Sequence, residues 1–69
     1  MKISARNQLK GVVQNIEAGA VNTIVSIKVG DSVIKASITN AAVADLGLEV
    51  GKEAYAIIKA SSVMVGVEH

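Results

Sequence analysis

Apolar and polar residues alternate along most of this chain with a period of two. In residues 2–16, Ile3, Ala5, Leu9, Gly11 and Val13 hold odd positions while Ser4, Arg6, Gln8 and Lys10 hold even ones. Successive side chains of a β-strand point to opposite faces, so the pattern predicts a strand covered on one side only. Glycine inside a strand marks a bulge or the close approach of another backbone, and Gly11 therefore predicts a long, bent strand. Ala18-Gly19-Ala20 supplies a turn. Val21, Thr23, Val25, Ile27 and Val29 then line one β-branched face opposite Asn22, Ile24, Ser26 and Lys28, the clearest strand of the chain.

Gly30-Asp31 suits a two-residue hairpin loop whose first central position needs positive φ. The return strand, residues 32–39, sets Ile34, Ala36 and Ile38 against Lys35, Ser37 and Thr39. At Asn40 the signal changes: a good N-cap precedes Ala41-Ala42-Val43-Ala44-Asp45-Leu46, and Gly47 follows as a stop, which predicts a helix of one or two turns. Residues 48–52 read as a turn, and residues 54–60 and 63–67 as two last strands around Ser61-Ser62. The expectation is an all-β fold, an OB-like five-stranded barrel with one short helix between strands 3 and 4. No proline, low-complexity tract or charge block divides the chain, so residues 1–69 read as a single domain.

Composition adds a constraint on assembly. The chain has 69 residues and its only aromatic is Tyr55, so Val, Ile, Ala and Leu must do the packing. Below roughly 70–80 residues a lone core rarely supplies more than about 3–5 kcal/mol, and small domains recruit disulfides, a metal or partner subunits. Cysteine is absent and the single histidine, His69, is the final residue, which leaves neither a disulfide nor a structural zinc site. Self-association is the remaining route. The formal net charge of +1 argues against a broad nucleic-acid footprint, and one tyrosine is a poor stacking platform for single strands. No apolar run approaches the ~18 residues of a membrane span, and residues 1–8 are too polar for the apolar region of a signal peptide, so a cytoplasmic protein is expected.

Catalysis finds little support in the side chains. Acid–base or nucleophilic chemistry needs His, Cys or a matched carboxylate pair, and Glu17, Asp31, Asp45, Glu49, Glu53 and Glu68 fall mainly at turns, the short helix or the terminus. His69 reads as a terminal residue free in solvent. Donors are better represented. Ser4, Arg6, Asn7, Gln8 and Lys10 crowd the first ten residues, and Thr39, Lys59, Ser61 and Ser62 lie at strand ends. A fully ionised tetrahedral oxyanion presents acceptors only, so its cage consists of N–H and O–H groups with one or two cations, roles open to Arg6 and Lys59. On chemistry alone the alternative stands that both are solvated strand charges and the serines polar filler.

The run Ile3-Ser4-Ala5-Arg6-Asn7-Gln8-Leu9-Lys10-Gly11 resembles the opening motif of the molbindin (Mop) family. Gly19-Ala20-Val21-Asn22 resembles its second block, and Ile38-Thr39 with Leu46-Gly47-Leu48-Glu49-Val50-Gly51-Lys52 its third. Residues 53–65 resemble its closing strand pair. What the resemblance implies is an OB-like barrel assembled as a hexamer, a trimer of dimers that exchange strands, with molybdate or tungstate bound between subunits. Carried over by position, Ser4, Arg6, Thr39, Lys59, Ala60 and Ser61 match the anion-contacting places, Ala60 through its backbone, and Ala5 and Asn7 lie in the same motif. Asn7 is open between a direct ligand, an orienting amide and a turn former, and Asn22 between a site role and a strand start. The implied function is non-catalytic storage of the oxyanion, or as the alternative, delivery of molybdenum or molybdopterin to cofactor-assembly enzymes. Two departures from the family pattern, Thr23-Ile24-Val25 without an acid and Gly11-Val12-Val13 without a cation, leave the proposed cage untouched; an apolar Ile24 suggests a larger subunit contact.

Overall fold

The computed structural model describes residues 1–68. Its elements are β1 (Asn7–Ala18), β2 (Asn22–Val29), β3 (Ser32–Thr39), α1 (Asn40–Leu46), β4 (Glu53–Ile58) and a 3-10 turn, η1 (Ala60–Ser62). The strands form one antiparallel sheet in the order β3-β2-β1-β4. Although β3 and β4 are its two edges, residues of both line a single apolar groove of about 670 Å³ together with Val25, Ile27, Leu46 and Leu48. The sheet is thus curled into a half-barrel whose edges do not meet. Among the described residues there are four strands, where the alternation predicted five.

The missing strand is the predicted one at residues 63–67. That segment follows η1 without strand structure, and Met64, Val65 and Val67 are 93%, 91% and 84% exposed. Its apolar alternation is real, but alternation specifies a strand only when an edge lies within reach, and within this chain the segment pairs with neither β3 nor β4.

Inside the half-barrel the pattern holds. Thr23, Val25 and Ile27 are buried, with Ile34, Ile38, Val43 and Leu48 packed against the cluster that Val25 and Ile27 form with Val13 and Ala56. Ile24 faces outward and remains exposed, whereas Ser26, also at an even position, is buried where β1 bulges opposite it. In β1 the parity changes midway, because the ladder slips between Val13 and Asn15. That bulge at Gln14 carries the inward face from Val13 to Ile16, and bends the strand so that its first half pairs with β4 and its second half with β2. The bend expected near Gly11 lies three residues on, while Gly11 itself is the site of close approach: a Cβ there would collide with the Lys28 carbonyl oxygen and with Ile27 and Val29 methyl groups. Gly11→Ala is expected to destabilise the fold by about 1–3 kcal/mol through overpacking, read as a lower urea midpoint. An unchanged midpoint would mean that the strands yield at no cost.

The turns follow the residue chemistry with one exchange of roles. Gly30 takes φ +60° in the hairpin between Val29 and Ser32, as expected. Gly47 at φ +61° ends α1, donating to the Ala44 carbonyl while Leu48 N–H donates to that of Val43, and the Lys52 ammonium donates to the Gly47 carbonyl at 2.9 Å. The N-cap, however, is Thr39 and not Asn40: the Thr39 hydroxyl oxygen accepts from Ala42 N–H at 3.1 Å. Asn40 is drawn into the helix because its amide has better partners across the fold. It donates to the Gly19 and Ala20 carbonyls, and its Oδ1 accepts from the buried Thr23 hydroxyl.

Candidate functional site

The sheet register sorts the donors suggested by the sequence into two places. Asn7, the first residue of β1, is the Cα partner of Ile58, the last residue of β4. The residues just before β1 and just after β4 therefore emerge side by side at one end of the sheet. Ser4, Ala5 and Arg6 lie on one of these segments and Lys59, Ala60 and Ser61 on the other. Antiparallel pairing alone brings them together, across more than fifty positions of sequence.

Ser4, Arg6, Lys59, Ala60 and Ser61 are exposed, and Ala5 and Asn7 half-buried. Among the described residues the one ion pair is Lys10 with Glu53 at 3.3 Å, and neither Arg6 nor Lys59 has an acidic partner there. Lys59 precedes η1 as its N-cap, with φ −63° and ψ 139°, and the turn closes where Ser62 N–H donates to the Lys59 carbonyl at 2.9 Å. The first N–H groups of such a turn have no partner inside it, which leaves the Ala60 and Ser61 amides directed away from the turn's own carbonyls. The two segments carry two cations, the Ser4 and Ser61 hydroxyls and these amides, with no carboxylate among residues 4–7 and 59–61. Such a set suits an anion bearing only acceptors and repels none of its oxygens.

Two side-chain amides hold this end. Asn7 Nδ2 donates to the Ile58 carbonyl at 3.1 Å, and Gln8 Nε2 donates to the Ala5 carbonyl at 3.0 Å. The Asn7 amide ties the two segments together at this end, and its second N–H is left over as a donor. The part played by Gln8 was not legible in the alternation, because its acceptor depends on the bend of the chain before β1.

Thr39 stands apart. It pairs with Asn22, next to the Ala18 end of β1, whereas Asn7 opens that strand eleven positions earlier. At ~3.3 Å per residue this is roughly 35 Å of strand. Along the register of the sheet Thr39 therefore lies at the opposite end from Asn7 and Ile58. Its hydroxyl oxygen caps α1, and its proton remains available as a donor. Asn22 begins β2, and its backbone carbonyl accepts from Gly19 N–H at 2.9 Å.

No cluster of three or more His, Cys, Asp or Glu side chains occurs among the described residues. His69 lies outside the described residues. None of the described helices is long and apolar enough to cross a membrane.

Comparison with known proteins bears on the same segments. A relative from Haemophilus influenzae, the "Probable molybdenum-pterin-binding protein", is 67% identical over 69 residues, covering 99% of this chain and all of the relative. The solved structure of a molybdate-binding protein from Sporomusa ovata superposes with a TM-score of 0.92 at 36% identity, over 97% of this chain and all of that one. The cytoplasmic molybdate-binding protein ModG, in a form with molybdate bound, gives a TM-score of 0.91 at 46% identity; this chain is covered to 99% and spans 49% of ModG. These neighbours share the OB-like half-barrel described above. The TOBE domain model matches residues 3–65, from the donor segment before β1 to the exposed tail beyond η1, and the chain belongs to that family, among its small molybdenum-pterin-binding (Mop) members.

Proposed function

We propose that this protein binds molybdate as an intact oxyanion, between subunits of a homo-oligomer, and acts as a non-catalytic cytoplasmic store. The observation that supports this reading is the pairing of Asn7 with Ile58, from which the donor-bearing segments 4–7 and 59–61, with no carboxylate among them, leave the sheet at one end. Arg6 and Lys59 offset the double negative charge, while Ser4, Ser61 and the Ala60 and Ala5 backbones complete the shell. Tungstate has the same shape and charge and fits the same chemistry. The neighbouring ModG structure, with molybdate bound, supports the choice of anion, and its description as cytoplasmic supports the compartment.

The role of subunits follows from what one chain lacks. Thr39 sits at the far end of the sheet, so it reaches the cage only from another copy. The groove between β3 and β4 lacks a strand, and the apolar tail at residues 63–67 lacks an edge. Exchange of that tail between two chains meets both needs, and three such dimers form the hexamer implied by the family resemblance. Anion that bridges chains stabilises the assembly by mass action. In native mass spectrometry the protein is expected to fly as a hexamer that gains integral molybdate masses on titration. A monomer that ignores added molybdate would overturn the reading.

A second reading is favoured by the relative's description as molybdenum-pterin-binding: delivery of molybdenum or molybdopterin to a cofactor-assembly enzyme. Recovery of such an enzyme in a pull-down that depends on loaded protein distinguishes delivery from storage.

A further inference from the structure

The two amide bonds at the start of β1 grip particular peptide planes. Asn7 Nδ2 holds the carbonyl of Ile58, and the peptide of that carbonyl carries the N–H of Lys59. Gln8 Nε2 holds the carbonyl of Ala5, whose peptide carries the N–H of Arg6. Because a peptide unit is planar, pinning the oxygen sets the direction in which the next residue leaves. Each bond therefore acts one residue upstream of a cation. The two anchors are adjacent in β1, and adjacent strand residues project to opposite faces. A single dipeptide thereby holds both segments without its amides competing for one acceptor, Asn7 taking the Ile58 carbonyl on β4 and Gln8 the Ala5 carbonyl before β1.

We propose that Asn7 and Gln8 are positioning residues for the oxyanion site, Asn7 acting through Lys59 and Gln8 through Arg6. This deepens the molybdate-binding reading and rests on it. Neither bond is needed to form the sheet: β1 pairs with β4 through six backbone positions, and Gln8 is exposed, bonding only within the bend that precedes the strand. What the amides add is order in the two segments before any anion arrives, which lowers the entropy lost on binding. Lys and Arg side chains keep their own rotamer freedom, so the gain lies in where those side chains begin.

The test is a double-mutant cycle on the full-length assembly, with molybdate affinity read by titration calorimetry. Asn7→Ala is expected to weaken binding about fivefold to tenfold in the wild-type background, and less than twofold when Lys59 is already alanine. Gln8→Ala is expected to keep its full effect in that Lys59→Ala background, because it acts through the other cation. Equal losses from Asn7→Ala in both backgrounds would overturn the proposal, as would no loss in the wild type. Backbone 15N relaxation without anion gives an independent readout: Asn7→Ala is expected to raise mobility at the Lys59 amide alone, and Gln8→Ala at the Arg6 amide alone. Unchanged relaxation at both amides overturns the proposal whatever the ligand proves to be. Wild-type protein that ignores molybdate would sink the functional reading instead, and the relaxation data would still decide this one. The urea midpoint of each variant separates local loosening from loss of fold, and Gln8→Ala, being exposed, serves if Asn7→Ala does not assemble.

Discussion

Arg6→Ala is expected to weaken molybdate binding by at least about a hundredfold while leaving the urea midpoint where it was. The guanidinium is exposed and makes no ion pair among the described residues, so its removal deprives the fold of nothing. Its effect on the anion is different in kind. Hydrogen bonds to charged groups contribute about 1.5–3 kcal/mol each, a planar guanidinium makes two to one oxyanion, and every ~1.4 kcal/mol is tenfold in affinity. Lys10→Ala is the matched control, since Lys10 carries the same charge on β1 but is engaged with Glu53 at 3.3 Å. Calorimetry should show its affinity within about twofold of the wild type, a loss typical of a screened surface charge. If Arg6→Ala binds as the wild type does, Arg6 leaves the site; if both variants lose equally, a diffuse positive field has replaced the cage.

On the proposed exchange of tails, deleting residues 64–69 is expected to leave a species smaller than the full-length protein forms and to abolish tight anion binding with it. The deletion removes Met64, Val65 and Val67, which have almost no cover within their own chain. Burial of an aliphatic side chain contributes about 1.5–3 kcal/mol, so three of them contribute about 4–9 kcal/mol per exchanged tail before the cost of ordering it. Even at the lower end association weakens roughly a thousandfold. Sedimentation velocity checks the size, and the same samples titrated with molybdate check the linkage. A truncated protein that stays hexameric would show that the groove between β3 and β4 is closed by something other than the tail. One that dissociates yet binds molybdate unchanged would show that a single chain completes the cage.

Local rules carried much of this structure. The β-branched face of Thr23, Val25 and Ile27 is buried because a period of two leaves a strand no other way to hide it. Gly30 and Gly47 adopt the left-handed backbone that their turns require, at positions legible from the residue type alone. The donor chemistry of residues 4–7 and 59–61 was legible too, since hydroxyls and cations without acids among them are a property of composition.

Where the expectations failed, a competing partner far along the chain decided the outcome. Asn40 is an excellent N-cap by type, yet Thr39 takes that place, because the Asn40 side chain finds the Gly19 and Ala20 carbonyls and the Thr23 hydroxyl across the fold. Val13 and Ile16 share a face only because a bulge at Gln14 shifts the parity, and bulges arise from pairing with β2 rather than from the run of β1 itself.

The amino-acid order by itself determined the inward face of β2, the left-handed turns at Gly30 and Gly47 and the acid-free, donor-rich character of residues 4–7 and 59–61, because each depends on residue type and spacing within a few positions. The tertiary structure alone decided that Arg6 and Lys59 share one end of the sheet while Thr39 lies at the other, and that residues 63–67 find no edge in their own chain. Those outcomes depend on which strands become neighbours, a choice made by closing long loops around a common core, and a period of two is the same whichever neighbour is chosen.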